Sequence, residues 1–341
     1  MEKIKLILFL TLLCSCNTSE KKITKVERIS LDAEIITDSI HASLPGSLIV
    51  FNDHLVWEDA HTSNNFLHVV DIKTRKELGR FGQKGSGPKE FITPFISKSS
   101  NDLIYVYDLN TKHQAYFSLN NFLKGQDYYV KIPDVNKIRM KYTTRIIEFD
   151  KNYFVALRPG GEFPLERWHN RSFYPFGTFP IKEGVCELDR MSFFSAEILY
   201  NPDNQRLVYS SFRFPYLAIY KNDGKYFKLE NESSRDFEYS VSGGRLDFDR
   251  SRKGISELAL SKDYIVTVER DYEKDQTNER TVGMDPMKLT RTVFLYNYDG
   301  QLMKIVDLGY PILRIAADTK NNTLYAIVVM DDYVLVKYEL K

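Results

Sequence analysis

The chain has 341 residues, 43% of them hydrophobic and 13% aromatic. That supply of apolar side chains builds a large core and excludes a disordered protein. Of 47 Lys+Arg and 46 Asp+Glu, the first 15 residues hold two Lys and one Glu, so the remainder carries 45 of each sign with no basic stripe; this excludes the electrostatic footprint of a nucleic-acid binder.

Lys3 and Lys5 precede an apolar run of about 8 residues, Leu6 to Leu13, far short of the roughly 20 that span a bilayer, so residues 1–15 read as a signal peptide. The following Leu13-Cys14-Ser15-Cys16 resembles the bacterial lipobox, in which a small residue precedes the cysteine that is lipidated and becomes the mature N-terminus. Ser15 makes Cys16 that cysteine; Leu13 is too large for Cys14 to take the role, and Cys14 departs from the usual small residue inside the box. Several acyl chains on Cys16 anchor stably, where one binds only marginally. Residues 16–25 then read as a flexible tether and 26–341 as the folded domain. The alternative is an ordinary secreted protein cleaved nearby.

Past the tether there is no long stretch of helical spacing. Short runs of Val, Ile, Tyr and Phe, bounded by Asn, Asp and Gly, predict strands joined by tight turns. Val26 to Ile36 is the first. A strand–turn–strand unit then begins at Ser47 and recurs at Phe95, Arg145, Ala196, Ser256 and Leu313, six copies spaced by about 48 to 60 residues. Further hairpins start at Phe66, Tyr216 and Thr292, the last two turning at Asp223-Gly224 and Asp299-Gly300. A period near 40–50 residues with about four strands per unit predicts a six-bladed β-propeller, all-β. The last copy lacks a fourth strand, so Val26 to Ile36 is expected to close the ring on the blade ending at Leu340. A pair of β-sandwiches is the competing fold and does not explain six similar hairpins.

Gly79 to Phe91, "GRFGQKGSGPKEF", has P-loop glycine spacing, but Pro88 stands where the phosphate-binding Lys belongs and no helical pattern follows. No nucleotide is expected. Gly85 to Pro94 reads instead as a blade-to-blade connection, with Phe91 and Phe95 packing between sheets. This "GxGPxEFxxP" segment and Asn101 to Asn110 after it resemble the linker and strand of NHL-like six-bladed propellers. With the lipobox, the chain resembles the TolB-like six-bladed β-propeller lipoproteins of Bacteroidetes. The resemblance implies a periplasmic or surface lipoprotein and supplies no catalytic residues.

Aligning the inner strands puts Leu48, Ile96, Ile146, Glu197, Glu257 and Arg314 at one position. Glu197, Glu257 and Arg314 come from consecutive units and are expected near one channel mouth, either as a polar or calcium-binding site or as an internal Glu–Arg–Glu pairing. Two segments read as face loops: Arg158 to Gly177, whose Trp168, Tyr174 and Phe176 could stack on a sugar or peptide, and the charged Glu269 to Lys288. His54 and His68 flank a hairpin and could begin a zinc site, though three protein ligands are usual. Cys186 reads as a small buried hydrophobe. No GxSxG or HExxH occurs. The expectation is a non-enzymatic, lipid-anchored protein of the cell envelope, at the outer membrane on its periplasmic or surface face. It has no cofactor and binds an envelope protein or glycan. The alternative is a cation-dependent hydrolase or lyase working in the channel.

Overall fold

In a computed structural model, the described residues are 26–38, 40–59, 61, 62, 64–99, 103–133, 138, 142–181, 184–235, 237–250, 254–274 and 285–341. They form six small antiparallel sheets around an axis. Blade one runs Pro45–Phe51, His54–Asp59, Asn65–Asp71 and Glu77–Lys84, with a short parallel addition at Glu90–Phe91. Blades two to four begin at Pro94–Lys98, Arg145–Asp150 and Ala196–Asn201. Blade five begins at Glu257–Leu260, and blade six comprises Ile312–Ala317, Thr323–Val329 and Tyr333–Glu339.

Strand period explains why six sheets become one ring. Successive side chains leave a strand on opposite faces, and in blade five Ile265 and Phe294 pack toward blade four while Val266, Val268, Val293 and Leu295 pack toward blade six. Each blade in this way feeds two cores. Six apolar clusters result, one at each boundary between neighbouring blades.

The ring closes through the N-terminal segment, with one departure from expectation. Glu34–Thr37 pairs antiparallel with Tyr333–Glu339 as the fourth strand of blade six, Ile35 opposite Val336. The earlier part does not continue that pairing. Glu27–Ser30 runs parallel to Leu302–Asp307 and adds a fifth, outermost strand to blade five. A strand of eleven residues would overrun a blade edge seven residues long, so the chain bends between them and fastens two blades instead of one.

The glycine-rich stretch is the connector from blade one to blade two. Gly85 has φ +147°, and a Cβ there would collide with the Glu90 carboxylate. That carboxylate accepts the Gly87 N–H at 2.8 Å, and Gly85 N–H donates to the Phe91 carbonyl at 3.1 Å. Asp108 then locks the exit: one oxygen accepts the Ile92 and Thr93 N–H groups and the other those of Asn110 and Thr111. Burial alone would raise the Asp108 carboxyl; the four N–H donors hold it below its ordinary value. Phe91 is fully buried against Phe66 of blade one and Phe117 of blade two.

Among the described residues no helix is long and apolar enough to cross a membrane. The signal segment, Cys16 and the tether lie outside the described residues.

Candidate functional site

Glu197 and Glu257 stand at the second and first residues of their inner strands, and Arg314 at the third of its own. All three line a central cavity of about 590 Å³ together with Leu48, Ile96 and Ile146. Arg314 bridges three blades: Nη1 donates to Glu257 Oε1 at 3.0 Å and Nε to the Gly46 carbonyl of blade one at 3.0 Å. Glu197 does not join that pair. It accepts from Arg145 Nε of blade three at 2.9 Å.

Arg145 and Glu58 are the members that alignment missed. Arg145 opens the third repeat one position before the aligned Ile146, outside the one position compared across the repeats. Glu58 lies on the second strand of its blade, where no channel residue was sought. It reaches the cavity beside Gly46, at which a Cβ would sit 3.1 Å from the Glu58 carboxyl carbon. The site thus gathers three carboxylates and two guanidiniums from blades one, three, four, five and six, and both ion pairs cross a blade boundary.

The electrostatics follow from depth. Glu58 is 4% exposed, and burial pushes its carboxyl up to about 7 against the pull of Arg145, Arg314 and Lys84. Glu257 is also pushed up to about 7, by burial, with Arg314 opposing and Glu197 adding to the rise. Channel water still reaches a quarter of the Glu257 and Arg314 side chains. Both candidate cation ligands, Glu197 and Glu257, are held by arginines. Among the described residues no three His, Cys, Asp or Glu side chains gather as metal ligands would.

Two inter-blade linkers build a cap that sequence reading did not foresee. The helix Glu187–Phe193 precedes the inner strand of blade four, and the hairpin Tyr239–Ser242 with Arg245–Phe248 precedes that of blade five. Asp189, buried, accepts the Leu246 N–H at 2.8 Å and pairs with Arg245, while Phe193 meets Phe248 edge-on. These linkers enter the inner strands at Ala196 and Glu257, where the charged ring begins, so cap and ring share one end of the propeller. Leu188 and Met191 of the cap are exposed.

The proposed aromatic loop is not a loop. Arg158 to Gly177 carries the third and fourth strands of blade three, Leu165–His169 and Ser172–Phe176. Trp168 is buried, stacks on Phe173 and donates Nε1 to Glu166 at 3.0 Å; Phe176 stacks on Phe227 of blade four. Only Tyr174 is exposed. Tyr174 and Phe176, two apart on one strand, share a face, but Phe176 is taken up by Phe227, and Trp168, opposite Phe173, lies on the other face, so the three rings form no common platform. His54 and His68 also part company: His54 pairs with Asp71 and His68 with Trp57, an odd separation that puts them on opposite faces. His68 is buried against Trp57, with Nδ1 3.0 Å from Glu77. Burial, then Arg80, lowers its pKa despite Glu77. Cys186 is half-buried, not buried. Of the second candidate loop, residues 275–284 lie outside the described residues, whereas Glu269 is buried and accepts from Thr267 and Tyr296.

A family model described as TolB-like 6-blade propeller-like matches residues 25–320. Among solved structures, a DUF4221-family member from Bacteroides vulgatus is similar at 14% identity and TM-score 0.55, covering 93% of this chain and 98% of that one. A Bacteroides fragilis protein thought to be exported aligns at 12% identity and TM-score 0.54, over 91% and 98%. At these identities the likeness shows the fold alone. A search of curated proteins returns no match.

Proposed function

The chain belongs to the TolB-like six-blade propeller family, and from that premise we propose that it is an envelope lipoprotein, anchored through Cys16, whose capped mouth binds a protein or glycan without catalysing a reaction. One observation carries this reading: Glu197 and Glu257, the two carboxylates a channel cation would have to share, are each held by an arginine of a neighbouring blade. Such a ring is held rigid by the scaffold and offers fixed polar contacts to a group projecting into the cavity. It leaves neither glutamate free of an arginine, as a shared cation site would require. A cavity of about 590 Å³ admits a sugar unit or a chain terminus rather than a folded surface. Leu188 and Met191, exposed on the linker helix that enters blade four at the end where the charged ring begins, supply apolar contact area.

The test is crosslinking in intact envelope followed by recovery of the tagged chain. A partner recovered with the native protein and lost from Leu188→Asp/Met191→Asp supports the mouth as the binding surface. Recovery unchanged in that variant and in Glu257→Gln overturns it. A saturable thermal shift with calcium, abolished by Glu257→Ala, would instead establish the cation-dependent alternative. Palmitate incorporation abolished by Cys16→Ser checks the anchor separately.

A further inference from the structure

A second cavity, of about 470 Å³, lies far from the channel on the outer edge of blade five. One wall is the N-terminal strand Glu27–Ser30, and the others come from the strand it pairs with, from the two described ends of the second candidate loop and from the residues that follow it. Its lining carries five cations, Arg28, Arg270, Lys274, Lys288 and Arg291, against Asp271 and Asp307. One of those carboxylates is committed: Arg28 holds Asp271 at 3.2 Å and also binds Glu273. Arg270, largely buried, donates Nη2 to the Lys288 carbonyl at 2.8 Å, which sets its guanidinium in the floor. Lys274 and Arg291 are exposed and have no carboxylate partner among the described residues. Ser30 and Thr292 add hydroxyls, and Ile29, Leu289 and Met287 make one side apolar, with Met287 53% exposed.

We propose that this pocket receives the phosphate of an anionic lipid headgroup and seats the propeller against the membrane its tether enters. A surplus of guanidinium and ammonium donors around a cavity of this size is the chemistry that recognises a phosphate oxyanion. An exposed methionine between those cations suits the boundary where headgroup meets acyl chain. Position selects the lipid source. Arg28 lies twelve residues after Cys16, so an extended chain spans at most about 43 Å between anchor and pocket. The choice of a membrane source rests on the lipid-anchor reading; the pocket's taste for phosphate does not.

The experiment uses the full chain carrying Cys16→Ser, so that no acyl chain holds it to lipid. It is sedimented with phosphatidylcholine vesicles, with or without one-third phosphatidylglycerol. Binding to the anionic vesicles should exceed binding to the neutral ones and weaken about 30-fold on adding Lys274→Gln/Arg291→Gln, two basic groups at an anionic surface. Glycerol phosphate should compete. Equal partitioning of both proteins overturns the proposal, as does loss of binding that glycerol phosphate does not compete, which is diffuse attraction rather than a pocket. Protection from thermal unfolding by glycerol phosphate with no vesicle binding makes the ligand a soluble phosphate ester and overturns the lipid assignment. If palmitate labelling shows no anchor while the vesicle pattern holds, the anchor reading falls and the pocket stands.

Discussion

The channel ring and the outer pocket use the same residue types to opposite ends. In the channel, Arg145 and Arg314 each face a glutamate across a blade boundary. At the edge of blade five, Lys274 and Arg291 stand exposed while Arg28 already uses Asp271. Depth makes the difference. A buried charge without a partner costs several kcal/mol, so the channel arginines are paired and Glu58, its carboxyl with no ion pair among the described residues, is pushed toward the neutral form, whereas a rim open to water tolerates surplus cations. Paired charge holds blades in register; surplus charge is left for a ligand.

The sharpest way to break this contrast is Arg314→Ala. It strips Glu257 and the Gly46 carbonyl of their donor and should lower stability by about 3 kcal/mol in denaturant melts at pH 8. At pH 5 the loss should be smaller, because Glu257 then takes up a proton instead of standing as a lone charge. Equal losses at both values would mean that the pair is not what the channel depends on.

Glu58 gives the next largest effect, with the opposite sign. Its folded pKa is raised from 4.5 to about 7, so the folded state binds the proton more tightly than the unfolded chain. The stability tied to it is complete below about pH 4.5 and is lost as pH rises through about 7. Glu58→Gln should leave melting at pH 5 unchanged and raise stability at pH 8 by about 2 kcal/mol. A destabilised variant at pH 8 would show instead that the Glu58 charge is needed by Arg145 and Arg314.

Removing both partners together sharpens the comparison further. Arg314→Met/Glu257→Leu leaves no lone charge and should cost less than about 1 kcal/mol, measured as a double-mutant cycle with the single changes. The smallest effect belongs to the outer pocket: Lys274→Gln/Arg291→Gln should alter stability by less than about 0.5 kcal/mol, since both side chains are exposed. A larger loss there would move those residues from ligand binding to structure.

Much of the fold was legible because it is written in local pattern. The strand–turn–strand unit recurs at Ser47, Phe95, Arg145, Ala196, Ser256 and Leu313 because each blade must fill two cores, and the spare strand before Ser47 announces closure. The connector was readable from its glycines, the GxGPxEFxxP pattern and Phe91, since backbone freedom is a property of adjacent residues, whereas the Glu90 carboxylate cap came from the structure. The site was only half legible. Glu197, Glu257 and Arg314 came from aligned inner strands, but their partners did not: Glu58 belongs to a second strand, and Arg145 falls one place out of phase. The aromatic segment Arg158 to Gly177 misled because its Pro and Gly content resembles a loop, while the cluster that buries Trp168 is made with Tyr105, Tyr107 and Tyr116 of blade two, far upstream in the chain.

By itself the sequence determined the all-β character, the number of repeats and the turns between strands, because alternation, turn chemistry and backbone freedom act over a few residues. Only the tertiary structure decided which charges meet. The Arg145–Glu197 and Glu257–Arg314 pairs join blades 52 and 57 residues apart along the chain. It also decided that the first strand would fasten blade five and the second close blade six. Those contacts depend on how six sheets pack around an axis, and that packing exists only once the ring has closed.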